Sequence, residues 1–289
     1  MSTSRIGTDK PALHDGDRAL AKSIDQAVWS DVNLHLTNAD DIKIHCRSGV
    51  VHLEGHVGTL FTKSQVGNAV QRVPNVSQLE NQLVVDEELI YRVAQVLGDD
   101  ARLEGEQQIG VNAQHGFVYL TGRVSNASIR KFAAEVAAGI PEVRGIINRI
   151  EAPGITLVVE EERNLQPTIG SEVFVTDGKL GRIQQVVIDP HNRRVIELVV
   201  LADFSTFQFL TFSQASNQLD QPMRTLLLPV EVVRHLSKGG VFLTVSSDDA
   251  ANFSDFNSDL YIKPPTEWQP PYPYDPLDVR LPLPLAVDD

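Results

Sequence analysis

The ten residues 48–57, Ser-Gly-Val-Val-His-Leu-Glu-Gly-His-Val, return at 115–124 as His-Gly-Phe-Val-Tyr-Leu-Thr-Gly-Arg-Val. The pairs Gly49/Gly116, Val51/Val118, Leu53/Leu120, Gly55/Gly122 and Val57/Val124 all lie at an offset of 67. That offset holds without a gap from Ile42/Ile109 to Leu83/Ile150, through Pro74/Pro141 and Asn81/Asn148. Upstream, the apolar set Leu20, Ile24, Ala27, Val28 is matched by Leu89, Val93, Val96, Leu97 at an offset of 69, so the second copy is two residues shorter in the intervening loop. A period of this length means that one supersecondary unit is built twice.

Each unit reads helix–strand–strand–helix–strand. The first helix carries apolar residues on one face of a 3.6-residue period. Residues 42–46 and 51–57 alternate as two strands around Ser48-Gly49, a two-residue turn in which glycine supplies positive φ. With that turn, Cys46 lies opposite Val51 and Ile44 opposite Leu53 on one face, while His45 lies opposite His52 and Lys43 opposite Glu54 on the other. A second helix buries Val66, Ala69, Val70 and Val73 in the first copy and Ala133, Val136, Ala137 and Ile140 in the second. Pro74 and Pro141 end these helices, and a third strand follows over 79–85 and 146–150. Two helices on one sheet face give an α+β layer.

Two tandem units with G-V-V-x-L-x-G-x-V, an amphipathic helix and V-P-x-V-x-x-L-x-N-x-L resemble a pair of BON domains, over 17–86 and 86–152. The resemblance implies a small non-enzymatic module associated with phospholipid, the envelope and stress tolerance.

Beyond a linker at 153–166 the pattern changes to short β-rich runs with Gly and Asp-Gly punctuation, which predict a small all-β barrel. The spacing Ile169-Gly170, Val173, Asp177-Gly178, Gly181, Ile183, with Leu226-Leu-Leu-Pro-Val-Glu-Val-Val233 further on, resembles a PRC-barrel over 167–248. That family includes a domain of the photosynthetic reaction centre's H subunit and of ribosome maturation factors, so the resemblance implies a protein-docking barrel without catalytic residues. The whole is then a disordered start (1–16), two αββαβ units, the barrel, and a Pro-rich tail (249–289).

Two segments are candidate partner surfaces. Phe204, Phe207, Phe209 and Phe212 place four of the 11 phenylalanines within nine residues, either inside the barrel or as an exposed patch. Residues 264–289 hold 8 of the 16 prolines, too many to keep helix or sheet. This tail is expected to be extended or disordered, as an arm across its own domains or a loose terminus, or else to dock Trp268, Tyr272 and Tyr274 in a groove of another subunit.

Chemistry is hard to find. His45, His52 and His56 share a hairpin and could hold zinc, but the second copy has Asn112, Tyr119 and Arg123 there, so the hairpin reads as structural. Cys46, the only cysteine, falls on the buried face. No nucleophile elbow, H-E-x-x-H motif or phosphate loop is present. The expectation is a non-enzymatic scaffold with no cofactor and no metal, using a protein partner first and a membrane surface second. The net charge of −13 weighs against nucleic acid and anionic lipid. The alternative is a cytosolic adaptor in RNA processing or ribosome assembly acting through the barrel. No apolar run of signal-peptide length opens the chain, and the expected compartment is the cytoplasm, including the inner face of the membrane.

Overall fold

The computed structural model describes residues 15–30, 42–106, 109–155, 165–205, 207, 223–237 and 239–283. They form a mixed α+β structure with five α-helices. Two compact units are distinguished, residues 1–91 with 113–116, and residues 92–112 with 117–289.

The first repeat is α1 (Asp15–Ser30), β1 (Ile42–Arg47), β2 (Val50–Val57), α2 (Leu60–Gln71), β3 (Gln78–Asn81) and β4 (Val84–Val85). The hairpin has the expected register, with His45 opposite His52, Cys46 opposite Val51 and Ile44 opposite Leu53. Ser48 and Gly49 both have positive φ, 51° and 81°, the mirror-image turn whose twist matches paired strands. His115 and Gly116 repeat it at 55° and 77°. Leu20, Ile24 and Val28 of α1, Val51 and Leu53 of β2, and Val66 and Val70 of α2 meet in one buried core that includes Cys46.

The second repeat is α3 (Asp86–Asp99), β5 (Ile109–Gln114), β6 (Phe117–Gly122), α4 (Ala127–Ala138) and β7 (Gly145–Asn148). Leu89, Val93 and Leu97 are buried, whereas Val96, expected on the same face, is 37% exposed. In both copies the third strand runs parallel to the second, joined by a helical crossover.

That third strand is shorter than expected, because an asparagine interrupts it. Leu83 N–H donates to Asn81 Oδ1 (3.3 Å), and Asn81 Nδ2 donates to the Lys63 carbonyl of α2 (3.2 Å). Ile150 N–H, Asn148 and Arg130 O repeat the arrangement at 3.2 and 2.7 Å. One amide thus ties the strand to the helix and diverts a backbone N–H from the ladder.

The remaining strands are β8 (Glu172–Val175), β9 (Gly178–Ile188), β10 (Val195–Asp203), β11 (Met223–Pro229), β12 (Val233–Ser237) and β13 (Gly240–Leu243). The short helix α5 (Ser247–Ala250) follows, then β14 (Tyr261–Ile262) and β15 (Val279–Pro282). Their sheet runs β11-β10-β9-β8-β13-β12, with β15 on β9 and β14 on β15. Residues from nearly all of these strands share one core, including Val173, Leu180, Val186, Leu198, Leu226, Val241 and Val279.

The expected closed barrel is not found among the described residues. The sheet ends at β11 and β12, and the outer edge of β11 is taken by residues 254–256, through Leu227 N–H to Ser254 O (3.0 Å) and Phe256 N–H to Thr225 O (2.7 Å). The tail also departs from expectation, since Val279 and Arg280 pair with Val186 and Val187 of β9. Proline is tolerated there because Pro282 stands at the end of its strand, where no ladder donor is needed.

Candidate docking surfaces

Much of the polar chemistry that repeats between the copies is framework. Asp17, 8% exposed at the start of α1, accepts the Ser48 N–H of the hairpin turn at 2.8 Å. Asp86, 6% exposed at the start of α3, accepts the N–H groups of His115 (2.7 Å) and Gly116 (2.8 Å). A buried carboxylate therefore pins the hairpin in each repeat. The sequence signal was available, since both helices begin with aspartate at equivalent positions, but apolar periodicity does not register it.

The histidine hairpin does not gather into a metal site. His52 pairs with Glu80 (3.0 Å) and His45 with Glu54 (3.9 Å), on an exposed face, while His56 is buried at 2% exposure. Among the described residues no three His, Cys, Asp or Glu side chains are placed to hold a metal ion. Burial and the nearby Asp17 both raise the pKa of Cys46, which suits a thiol packed as a small hydrophobe.

What the two copies do not share is more telling. The helix after the hairpin is capped alike in both, by Thr59 accepting from Thr62 N–H and Asn126 accepting from Ile129 N–H. Its first turn differs, being Leu60-Phe61 in the first copy and Ala127-Ser128 in the second. Leu60 is 53% and Phe61 68% exposed, an adjacent apolar pair at a helix tip.

The second distinctive place is the seam between the second repeat and the β-rich sheet. Ile146 N–H donates to Asn192 O at 2.8 Å, joining β7 to the turn that links β9 and β10. On that turn Arg193 has φ of 59°, a conformation that costs a side-chain-bearing residue about 1–2 kcal/mol. Its guanidinium is buried and donates to Val143 O (2.6 Å), Ala138 O (3.4 Å), Pro141 O (3.2 Å) and Gln269 O (2.9 Å). It also lies 5.2 Å from the Trp268 ring centroid. Burial lowers its pKa to about 10, so it is still a cation at neutral pH. Although it stands on a turn, Arg193 is withdrawn from the surface to hold the end of α4 and the tail.

Beside it, Arg144 is 6% exposed between the rings of Phe117 and Tyr272, each 5.2 Å away. It donates to Gln166 Oε1 (2.6 Å) and Tyr272 O (3.2 Å). An open groove of about 330 Å³ also lies at the seam, lined by Arg130, Lys131, Glu135, Asp189, His191 and Arg194 among others. Glu135 meets two of those side chains, with His191 at 3.2 Å and Lys131 at 3.6 Å.

The aromatic residues singled out from sequence are placed as follows. Phe204 is buried in the sheet's core at 4% exposure, and Phe207 packs against it with ring centroids 6.4 Å apart. Phe209 and Phe212 lie outside the described residues. Tyr274 is 6% exposed, its hydroxyl donates to Pro167 O at 2.9 Å, and burial pushes its pKa far above the ordinary value. Trp268 packs partly buried on the same core, and Tyr272 stacks on Arg144.

Outer membrane lipoprotein DolP of Haemophilus influenzae is 24% identical over 132 residues, 45% of this chain and 66% of that protein, so the chain spans just under two thirds of this relative. Two structures of CdsD, a structural protein of the Type III secretion system of Chlamydia trachomatis, are also similar. One, of its C-terminal domain, is 15% identical with a TM-score of 0.37, covering 46% of this chain and 65% of that one. The other is 18% identical with a TM-score of 0.33, covering 45% and 65%. The expected cytoplasmic location is overturned by the DolP match, because that relative belongs to the outer membrane and points to the envelope. The RNA-adaptor alternative, which rested on the resemblance of residues 167–248 to a PRC-barrel, gains no support, since the family match is confined to the repeats. Residues 17–87 and 86–154 each match the BON domain, so the N-terminal part of this chain is similar to two BON domains in tandem.

Proposed function

We propose that this chain is a non-enzymatic binding protein of the bacterial envelope, in which the tandem BON domains dock on a membrane surface and the β-rich region docks on protein. The observation that carries the reading is the tandem match itself, together with the similarity of 132 residues of this chain to an outer membrane lipoprotein. The repeated polar groups fit it, since Asp17, Asp86, Asn81 and Asn148 are spent on backbone donors and acceptors.

The lipid-facing element in this reading is the Leu60-Phe61 tip. Fully burying one such side chain contributes about 1.5–3 kcal/mol, so the pair at its observed exposure supplies about 2–4 kcal/mol on entering an apolar interface. With a net charge of −13, uncharged and zwitterionic lipid suits the chain better than anionic lipid. Residues 167–248 are read as a PRC-barrel-like docking domain; a sheet of short strands around one apolar core supports this.

The test is flotation of the full chain with phosphatidylcholine vesicles, with and without phosphatidylglycerol. The chain should float with the neutral vesicles, and Leu60→Ser with Phe61→Ser should lower the bound-to-free ratio about thirtyfold or more. Failure to float at any composition removes the membrane part of the proposal.

A further inference from the structure

Residues 264–283 lie on the second repeat and the sheet in the manner of a bound peptide. The surface beneath them supplies donors to four main-chain carbonyls in succession. Arg193 Nη2 reaches Gln269 O (2.9 Å), Arg144 Nε reaches Tyr272 O (3.2 Å), Gln185 Nε2 reaches Leu277 O (2.9 Å), and Val186 N–H reaches Asp278 O (2.9 Å). Between these anchors the side chains are received one by one. Trp268 and Tyr272 face the two buried guanidinium groups at 5.2 Å, Tyr274 is enclosed against Pro167, and Val279 and Leu281 are 0% and 4% exposed. The segment ends as an added parallel strand on the part of β9 that β8 leaves free.

Carbonyls read by fixed donors, side-chain pockets at intervals and a strand added to an open edge are the physics by which domains hold extended, proline-rich peptides. Proline and three local turns, closed by the N–H groups of Trp268, Tyr274 and Asp278 on the carbonyls of Pro265, Pro271 and Asp275, pre-shape the segment and lower the entropy lost on binding. Its entry is open, for Lys263, Pro265, Thr266 and Glu267 are exposed.

We propose that the groove formed by Arg193, Arg144, Gln185 and the β9 edge is a peptide-recognition site, filled in cis by the chain's own tail and open in trans to the same segment of a second copy. The second copy is the fitting occupant because it carries the same anchors, with the Trp and Tyr residues at the same spacing. A tail tethered at residue 263 competes at an effective concentration of about 1 mM, so exchange between copies becomes appreciable only as the local concentration of the chain approaches that value.

The experiment uses the full chain with a protease site inserted after Lys263. After cutting, a fluorescein-labelled peptide of residues 264–289 is added and its anisotropy followed. The labelled peptide should displace the resident fragment, and Trp268→Ala or Tyr272→Ala in the peptide should weaken binding about tenfold or more. The intact chain should take up little label, and near 1 mM it should show a dimer by light scattering that the same two tail substitutions abolish. Peptide recognition is overturned if the cut chain exchanges no fragment over a day. It is equally overturned if the cut chain unfolds on losing the fragment, or binds the substituted peptides as well as the natural one. Exchange in the cut chain with a strictly monomeric intact chain at that concentration overturns the second copy as occupant.

Discussion

Asp86 is the residue at which the duplicated frame can be tested most sharply, because the first repeat supplies an internal comparison. Its carboxylate accepts two turn amides, at 2.7 and 2.8 Å, whereas Asp17 accepts Ser48 N–H at 2.8 Å. A hydrogen bond to a charged group contributes about 1.5–3 kcal/mol net, and deleting the acceptor leaves its donors unsatisfied. His115 is partly exposed and can regain water, which favours the lower half of that range. Asp86→Ala should then cost about 3–4 kcal/mol and Asp17→Ala about 1.5–2 kcal/mol. Native-state hydrogen exchange in the full chain separates the two repeats, since the amides of β2 and β6 report the opening of each hairpin individually. The expected result is a several-hundredfold rise in opening at β6 for Asp86→Ala, and a rise of about tenfold to thirtyfold at β2 for Asp17→Ala. A loss below about 1 kcal/mol at β6, or equal losses in the two repeats, refutes the idea that these carboxylates hold the turns.

Two further predictions concern packing and acid. Gly181 sits where β9 crosses β10, and a Cβ there would stand 1.9 Å from Leu201 O, whereas a Cβ at Gly98 in α3 would meet nothing within 4 Å. Gly181→Ala should lower stability in urea by about 3 kcal/mol or more, while Gly98→Ala should raise it by about 0.5–1 kcal/mol. At Asp177, burial works to raise the carboxyl pKa, but the Ser247 N–H (2.8 Å) and hydroxyl (2.5 Å) outweigh it and hold the pKa below the ordinary value. A depressed carboxylate stabilises above its unfolded pKa of 3.8, and that contribution is lost as the pH falls through the lower folded value. Asp177→Asn should therefore lower the urea midpoint at neutral pH and flatten its fall below pH 3.8.

The hairpin was legible from sequence down to single pairs, because alternation has period two and a one-residue slip would turn Cys46, Val51 and Leu53 outward. The break in the third strand was not, since Asn81 and Asn148 act through side-chain bonds to the backbone, and apolar patterning is blind to these. The role of Arg193 was hidden for a related reason. A charged residue in a turn reads as surface, and only the three-dimensional neighbourhood brings the carbonyls of Ala138, Pro141 and Val143 within its reach. In the tail, proline content argued against sheet, yet a strand added at an edge needs few donors, and Val279 and Arg280 provide them.

Duplication also indicates where function resides. Two copies of a unit share whatever the fold requires, and here that shared set is the glycine turn, the buried aspartate, the helix cap and the strand-breaking asparagine. A task performed by only one copy must use positions at which the copies differ. In the first copy that difference is the exposed Leu60-Phe61 tip, against Ala127-Ser128 in the second. In the second copy it is Arg144, buried between two rings and bonded to the tail, where the first copy has Ser77. The histidines at 45, 52 and 56 differ between the copies as well, but two of them are paired with glutamates on the same sheet surface. The proposed membrane contact through the first copy and the proposed peptide capture through the second therefore call on different residues. Substitutions at Leu60 and Phe61 should leave tail exchange intact, just as substitutions at Trp268 and Tyr272 should leave flotation intact.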